Sequence, residues 1–356
     1  MTDKTLLYFN ISGFQKALIE WYRANKRDLP WHADRDPYKI WVSEIMLQQT
    51  QVDTVIPYFQ RFMSKYPTVQ DLAEADQQDV LKTWEGLGYY SRARHLQNAV
   101  RDIVTNYNGR VPDDPKELGS LQGIGPYTKG AILSIAFHQP IPAVDGNVMR
   151  VLARILNLDD NIAKSGTKKK MEQYVEPLIS HEDPSSFNQG MMELGALVCT
   201  PKEPLCMFCP VQEYCRSFHA GTQHELPVKS KQKSKKTIPY VVLLIQNGNG
   251  EYVIEKRPDH GLLANMWQFP MVPMNDVGYD HIEQWFRMEY GMDLTLHRKK
   301  GAQSHVFSHR IWQMEAYTAS TGDLQTADKR IQFISHQALS DYPIPVPHQK
   351  MMAYMD

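Results

Sequence analysis

A chain of 356 residues has the length for two or three domains, each with a core of its own. Hydrophobic residues at 42% and charged residues at 22% are ordinary for a globular protein, and no segment reaches the roughly 20 apolar residues of a membrane span. A formal net charge of −1 excludes the strongly basic balance that would by itself announce a nucleic-acid partner. Local charge is less neutral, with Arg92, Arg94, His95 and Arg101 in one cluster and Lys168, Lys169 and Lys170 in another. Such clusters serve as solvated helix faces or as phosphate sites, and charge alone does not choose. Met1–Ile11 lacks the basic start and apolar run of a signal peptide, so a reducing, cytoplasmic setting is expected.

Residues 10–220 read as mostly helical. Amphipathic spacing recurs over Phe14–Trp21, Val42–Phe62, Val80–Trp84, Leu96–Val104, Ala131–Phe137 and Val148–Leu156, and prolines punctuate these runs into short helices. Composition changes after Cys215. Lysines 229, 231, 233, 235 and 236 crowd a stretch with almost nothing apolar beyond Val228, the signature of a flexible basic linker over 222–237. Farther on, Tyr240–Ile245 and Glu251–Ile254 flank Gly248 and Gly250 as a β-hairpin would. Gln303–Phe307 and Ile311–Tyr317 are also strand-like, with Ile282–Tyr290 helical before them. The expected architecture is an all-α region over 1–221 followed by an α+β domain over 238–356.

Four stretches carry chemistry. The first, Leu121-Gln-Gly-Ile-Gly-Pro-Tyr-Thr-Lys-Gly130, precedes an apolar helix expected from Ala131. Gly123 and Gly125 permit a tight turn whose N–H groups face outward at a helix start, a grip for a DNA phosphate, although a plain helix connection uses glycines too. In Pro142-Ala-Val-Asp145-Gly-Asn147-Val, Asp145 immediately precedes a helix. It is an N-cap by position, and a functional carboxylate if a pocket lies before the helix. Glu44, in Trp41-Val-Ser-Glu44-Ile-Met-Leu-Gln-Gln49-Thr-Gln, has apolar neighbours on every side. Desolvation would raise its pKa as a general acid requires, unless the side chain faces solvent. Last, Trp84-Glu-Gly-Leu-Gly-Tyr-Tyr90-Ser-Arg-Ala-Arg94 combines glycines, aromatics and arginines. It suits either a loop that wedges into stacked bases or an ordinary turn over core tyrosines.

All four cysteines fall within 17 residues, at Cys199, Cys206, Cys209 and Cys215. Thiolates gathered so closely can enclose an iron–sulfur cluster or a structural zinc, whereas a disulfide framework there would staple nothing distant.

Taken in order, SEIMLQQTQ, WEGLGYYSRAR, LQGIGPYTKGAI, AVDGNVMRVLARI, LGALVCT and the cysteine loop resemble the adenine DNA glycosylases of the MutY type, in the endonuclease III-like helix-hairpin-helix superfamily. The resemblance implies a hairpin lobe over about 30–136, a cluster lobe over 1–29 and 137–221, and a [4Fe–4S] cluster on the four cysteines that is structural and lies near DNA. It implies removal of adenine mispaired with 8-oxoguanine, or with guanine, from double-stranded DNA after base flipping, by a monomer without membrane attachment. Glu44 matches the general acid, Asp145 the carboxylate that stabilises an oxocarbenium-like sugar, and Tyr127 and Asn147 their supports, a scheme related to that of retaining glycosidases. Tyr127 stands where the strand-cutting branch of the superfamily carries a nucleophilic lysine, and Lys129 is out of register, so little or no lyase activity is implied.

Arg27, Leu29, Trp31 and Gln189 resemble residues around the flipped adenine. Gln49, Thr50, Leu87 and Tyr89 match positions on the substrate side, Gln49 and Tyr89 as intercalators near 8-oxoguanine. The C-terminal region resembles a Nudix fold in which the metal-binding glutamates are lost: aligned on Gly291-Met292, only Glu289 remains, with Gln284, Trp285 and Met288 at other box positions. A recognition module is therefore implied, and Phe307-Ser308-His309 matches the loop that inspects 8-oxoguanine. Three other readings compete: a bifunctional glycosylase/lyase, opposed by Tyr127; a pyrophosphohydrolase, opposed by the degraded box; and a non-enzymatic DNA-damage sensor, opposed by the retention of Glu44 and Asp145.

Overall fold

The computed structural model of the chain describes residues 4–230, 234–322 and 328–355, so Lys231 and Lys233 of the basic stretch lie outside the described residues. By its contacts the chain separates into two compact units, Met1–Ala73 with His95–Lys231, and Glu74–Arg94 with Gln232–Asp356. Residues 74–94, which the sequence reading keeps in the hairpin lobe, thus group with the C-terminal region.

In chain order the helices up to the cysteine loop and beyond are α1 (Ile11–Asn25), α2 (Pro37–Leu47), α3 (Val52–Lys65), α4 (Val69–Glu74), α5 (Gln77–Thr83), α6 (Ser91–Asn106), α7 (Pro115–Ser120), α8 (Pro126–Ile135), α9 (Gly146–Ile155), α10 (Ser165–Val175), α11 (Pro184–Leu197) and α12 (Arg216–Ala220). The run Val42–Phe62, one amphipathic segment by its spacing, is two helices: Gln49 takes φ 62°, a left-handed conformation that ends α2 and reverses the chain into α3. α8 starts five residues ahead of Ala131, because Pro126 occupies its first position and Gly125 its N-cap.

One core of the first unit joins α1 to α9, α10, α11 and the cysteine loop through Phe14, Leu18, Val148, Val151, Leu152, Phe187, Met191, Leu194, Val211 and Cys215. Each large apolar side chain buried this way contributes about 1.5–3 kcal/mol. Two glycines set how closely the helices approach. A Cβ on Gly130 would lie 2.0 Å from the Pro142 carbonyl oxygen, and one on Gly195 2.7 Å from the Asn147 Cβ. Both contacts press α8 and α11 against the segment that carries Asp145. Residues 222–228, read as part of a free linker, are packed here: Leu226 is buried, its carbonyl accepts from Arg154 Nε at 2.9 Å, and the Val228 carbonyl accepts from the Ile162 N–H at 3.0 Å.

The second unit is built on a seven-stranded sheet. Its strands are β1 (Lys236–Gln246), β2 (Tyr252–Lys256), β3 (Trp267–Gln268), β4 (Met271–Pro273), β5 (Thr295–Val306), β6 (Arg310–Ser320) and β7 (Ile331–Ile334), in the order β3-β2-β1-β6-β5, with β4 paired to β1 and β7 to β2. β1 lies parallel to β6 along its whole length, and all other pairings are antiparallel. The unbroken run Val241–Ile245 is buried because both sheet faces are covered. Val241, Leu243 and Ile245 meet α13 (Ile282–Tyr290), whose Ile282, Phe286 and Tyr290 repeat at four-residue intervals. Val242 and Leu244 meet Phe269, Trp312 and Met314 on the opposite face, near α14 (Val346–Gln349).

Candidate active site and cysteine-lined pocket

A cleft of about 500 Å³ opens in the first unit between the end of α2, the turn before α8 and the start of α9. Gln49, Gly123, Gly125, Tyr127 and Asp145 all line it, together with Gln48, Thr128, Met149 and Lys168. The last four escaped the sequence reading. For Lys168 a signal existed in its basic run, but nothing local tells which lysine of three turns inward: Lys170 pairs with Asp160 and Lys169 is exposed.

Glu44 reaches this cleft through Tyr127, whose hydroxyl donates to Glu44 Oε2 at 2.5 Å. Residues Ile40 to Met46 of α2 are all buried, and the helix's one carboxylate among them is 6% exposed. Desolvation, reinforced by the negative charge of Asp145 and only partly offset by the Tyr127 hydrogen bond, pushes Glu44 up to about 7. Tyr127 is held protonated far above its ordinary range by burial and by the two carboxylates, which keeps it a donor.

Asp145 is the N-cap of α9, accepting from the Val148 N–H at 2.7 Å through Oδ1, and it also faces the cleft. It is thus an N-cap and a pocket-lining residue at once. Burial raises its pKa, but the Val148 and Asn147 donors and the Arg150 charge oppose the rise. Asn147 Nδ2 donates to Asp145 Oδ2 at 3.0 Å, while its Oδ1 accepts from Arg150 Nη2 at 2.8 Å. Arg150 continues to the Gly195 and Cys199 carbonyls at 2.7 and 2.8 Å. A continuous polar chain thus joins the Asp145 carboxylate to the first cysteine. Burial raises both carboxyls, opposed at Glu44 by a single neutral donor and at Asp145 by several donors and a cation.

The hairpin before α8 needs Gly123, at φ 82° with a Cβ position 2.9 Å from His95 Cβ. Gly125 has nothing within 4 Å of its Cβ position, leaving the α8 N-terminus open in front. Lys129 points elsewhere: its stem lies against Gly119 of α7. Arg27 is held bidentately by buried Glu193 of α11, and Gln189 accepts from the Tyr22 hydroxyl at 2.8 Å and donates to Ser185 Oγ at 2.9 Å. Leu29 and Trp31 are buried, with Trp31 edge-on to Phe59. α11 also presents Met192, whose sulfur accepts from Tyr127 at 3.4 Å. Thr50 sits in the α2–α3 turn, its N–H bonded to the Leu47 carbonyl.

In the second unit, Gly86, Gly88 and Tyr89 all have positive φ in the turn before α6. Arg92 spans the turn, its guanidinium over the Trp84 and Tyr89 rings and its Nη2 bonded to the Gly88 carbonyl. Tyr89 is left 44% exposed, at a strained backbone position of the kind found at functional sites. Leu87 turns inward and is buried. Phe307-Ser308-His309 forms the tight turn between β5 and β6, closed by the Phe307 N–H on the Arg310 carbonyl. Tyr89 and Ser308 share a hydrogen bond of 2.9 Å between their hydroxyls. Glu289, the surviving acid of the box, is 3.4 Å from Arg330 Nη2, and Met288 beside it is exposed.

Cys199, Cys206, Cys209 and Cys215 line one pocket, walled by Val151, Ile155, Leu194, Val198 and Phe218. Burial pushes the Cys209 thiol up to about 12, so thiolates here call for a cationic body to neutralise them. Arg154, 2% exposed, donates to Cys199 Sγ at 3.3 Å and to the Thr200 and Pro201 carbonyls. Among the described residues no three His, Cys, Asp or Glu side chains converge closely enough for a single metal ion. Four thiols lining one pocket are residues that could hold a metal centre.

Two family models match the chain: the HhH-GPD superfamily base excision DNA repair protein over residues 42–177, and the NUDIX domain over 241–354. The adenine DNA glycosylase of Rattus norvegicus is 36% identical over 364 residues, covering 87% of this chain and 70% of the relative. That of Buchnera aphidicola subsp. Schizaphis graminum is 36% identical over 299 residues, covering 83% and 84%. The structure of a trapped endonuclease III–DNA covalent intermediate aligns with a TM-score of 0.51 at 25% identity, over 60% of this chain and 97% of that one.

Proposed function

The chain belongs to the adenine DNA glycosylase family, and from that premise we propose that it excises adenine mispaired with 8-oxoguanine, or with guanine, from double-stranded DNA. The observation that carries the reading is the pair of carboxyls about one cleft, Glu44 pushed up to about 7 and Asp145 held by donors and a cation. The target nucleotide is flipped from the stack into the cleft. Glu44, protonated and oriented by Tyr127, passes its proton to the adenine ring, so the base leaves neutral with the electron pair of the glycosidic bond. Asp145, whose burial-raised proton affinity is opposed by Val148, Asn147 and Arg150, stabilises as its carboxylate the cationic sugar that remains, and water completes the hydrolysis.

Binding follows from the same surfaces. The open α8 N-terminus at Gly123–Gly125 suits a DNA phosphate, and Lys168 on the cleft wall supplies a cation for another. Arg27, Leu29, Trp31 and Gln189 surround the adenine. Gln49 and Tyr89, both at positive φ, enter the stack beside the opposing base, with Thr50 and Leu87 shaping their turns. Leu87 acts from within its turn, since it is buried. Phe307, Ser308 and His309 inspect that base: 8-oxoguanine carries a donor at N7 where guanine has an acceptor, and the Ser308 hydroxyl can accept from it. The C-terminal domain recognises and does not hydrolyse, with Glu289 engaged by Arg330. The four cysteines hold a [4Fe–4S] cluster, which supplies a structural centre for the DNA-facing loop. Without an amine at the Tyr127 position, the enzyme is monofunctional. We assign it to the cytoplasm, acting as a monomer on chromosomal DNA; among the described residues no helix is long and apolar enough to cross a membrane.

Chromatography of the products from a duplex with one adenine opposite 8-oxoguanine tests the reading. Free adenine and an intact phosphodiester strand are expected; cleavage of the strand without a released base would refute it.

A further inference from the structure

The pocket lined by the four cysteines has further polar walls in Arg154, Gln212 and Gln223. Of these, Gln223 has its Oε1 buried without a hydrogen-bond partner. It lies eight residues beyond Cys215 in a segment fixed on both sides: Thr222 Oγ1 donates to Asn157 Oδ1 at 2.7 Å, and the Leu226 carbonyl accepts from buried Arg154 at 2.9 Å. Burying the oxygen end of a carboxamide unpaired is unfavourable, and the thiolates lining the pocket offer that oxygen no donor. The two ends of a carboxamide are nearly the same shape, so rotation about the last side-chain bond puts an N–H donor there instead. Sulfur in an iron–sulfur cluster accepts such bonds, and Arg154 already offers one to Cys199 Sγ.

We propose that Gln223 donates a hydrogen bond to a sulfur of the cluster held by Cys199, Cys206, Cys209 and Cys215, and so sets the cluster's potential and its resistance to oxidation. The proposal rests on the cluster reading above. A donor aimed at sulfur withdraws electron density and favours the reduced form, raising the potential. Gln223 is a positioning residue for the cluster and takes no part in the chemistry of the cleft.

The test uses full-length protein, wild type beside Gln223→Met and Gln223→Ala, the second removing the bulk as well as the donor. Iron and inorganic sulfide content, the potential of DNA-bound protein by electrochemistry, the rate of cluster loss under ferricyanide, and the resonance Raman shift of Fe–S bands in D2O are measured. Both variants are expected to show a lower potential, several-fold faster oxidative loss and a smaller D2O shift, with single-turnover adenine release unchanged. A fully loaded variant with the wild-type potential and D2O shift overturns the proposal and leaves the cluster reading standing. Wild-type protein that binds no iron and sulfide overturns both.

Discussion

Replacing Glu44 by glutamine should trade activity for stability, and the trade should depend on pH. Glu44 moves from 4.5 to about 7 on folding, chiefly through desolvation. At about 1.4 kcal/mol per pH unit, the folded protein then binds that proton about 3 kcal/mol more tightly than the unfolded chain. Because the folded value is the higher one, this stabilisation is fully present below the unfolded value of 4.5 and is lost as pH rises through about 7. Glutamine keeps the shape and still accepts from Tyr127, but has no proton to lose. Relative to wild type, Glu44→Gln should therefore gain about 2 kcal/mol of stability between about pH 5.5 and 8.5, the part of the full range that falls in that window. Urea unfolding of both proteins at the two pH values, followed by tryptophan fluorescence, measures the difference. Contributions shared by the two proteins cancel. The same variant should lose about 10²–10⁴-fold in single-turnover adenine release. A stability difference that does not change with pH would refute the desolvation argument, whatever happens to activity.

Substituting Phe307, Ser308 and His309 together by alanine should spare release of adenine opposite guanine but narrow the preference for 8-oxoguanine, measured as the ratio of single-turnover rates; an unchanged ratio removes the turn from recognition. Lys168→Met should weaken binding to any duplex and lower the slope of log K against log salt by about 1, as loss of one phosphate contact predicts, whereas Lys168→Arg should keep the slope. Borohydride treatment during turnover should trap no adduct dependent on Lys129, whose stem packs on Gly119 away from the cleft; efficient trapping abolished by Lys129→Ala would contradict the monofunctional assignment.

Much of the site could be read along the chain because its chemistry is local. Asp145 stands immediately before an apolar-periodic run, so its capping position follows from spacing alone, whereas its place on the wall of the pocket does not. Glu44 is flanked by apolar residues on both sides in sequence, and α2 buries all of them together, so its desolvation follows as well. Residues whose partners are distant backbone could not be read this way. Arg150 and Arg154 look like the polar stripe of α9, yet both are buried because carbonyls near the cysteine loop accept from them. Glu193 looks like one more helix glutamate until Arg27, 166 residues away, closes on it. The break after α2 was equally hidden, since no glycine or proline marks it and Gln49 adopts the left-handed conformation itself. In the second unit, a run as apolar as Val241–Ile245 announces a strand buried on both faces, but not that its long partner is the parallel β6.

The proposed activity turns on the choice of base and of its opposing partner. Single-turnover release of adenine from three duplexes, differing only in whether 8-oxoguanine, guanine or thymine stands opposite, tests it most directly. Release is expected to be fastest opposite 8-oxoguanine, slower opposite guanine and absent opposite thymine. Equal release from all three, or release of a base other than adenine, would contradict it.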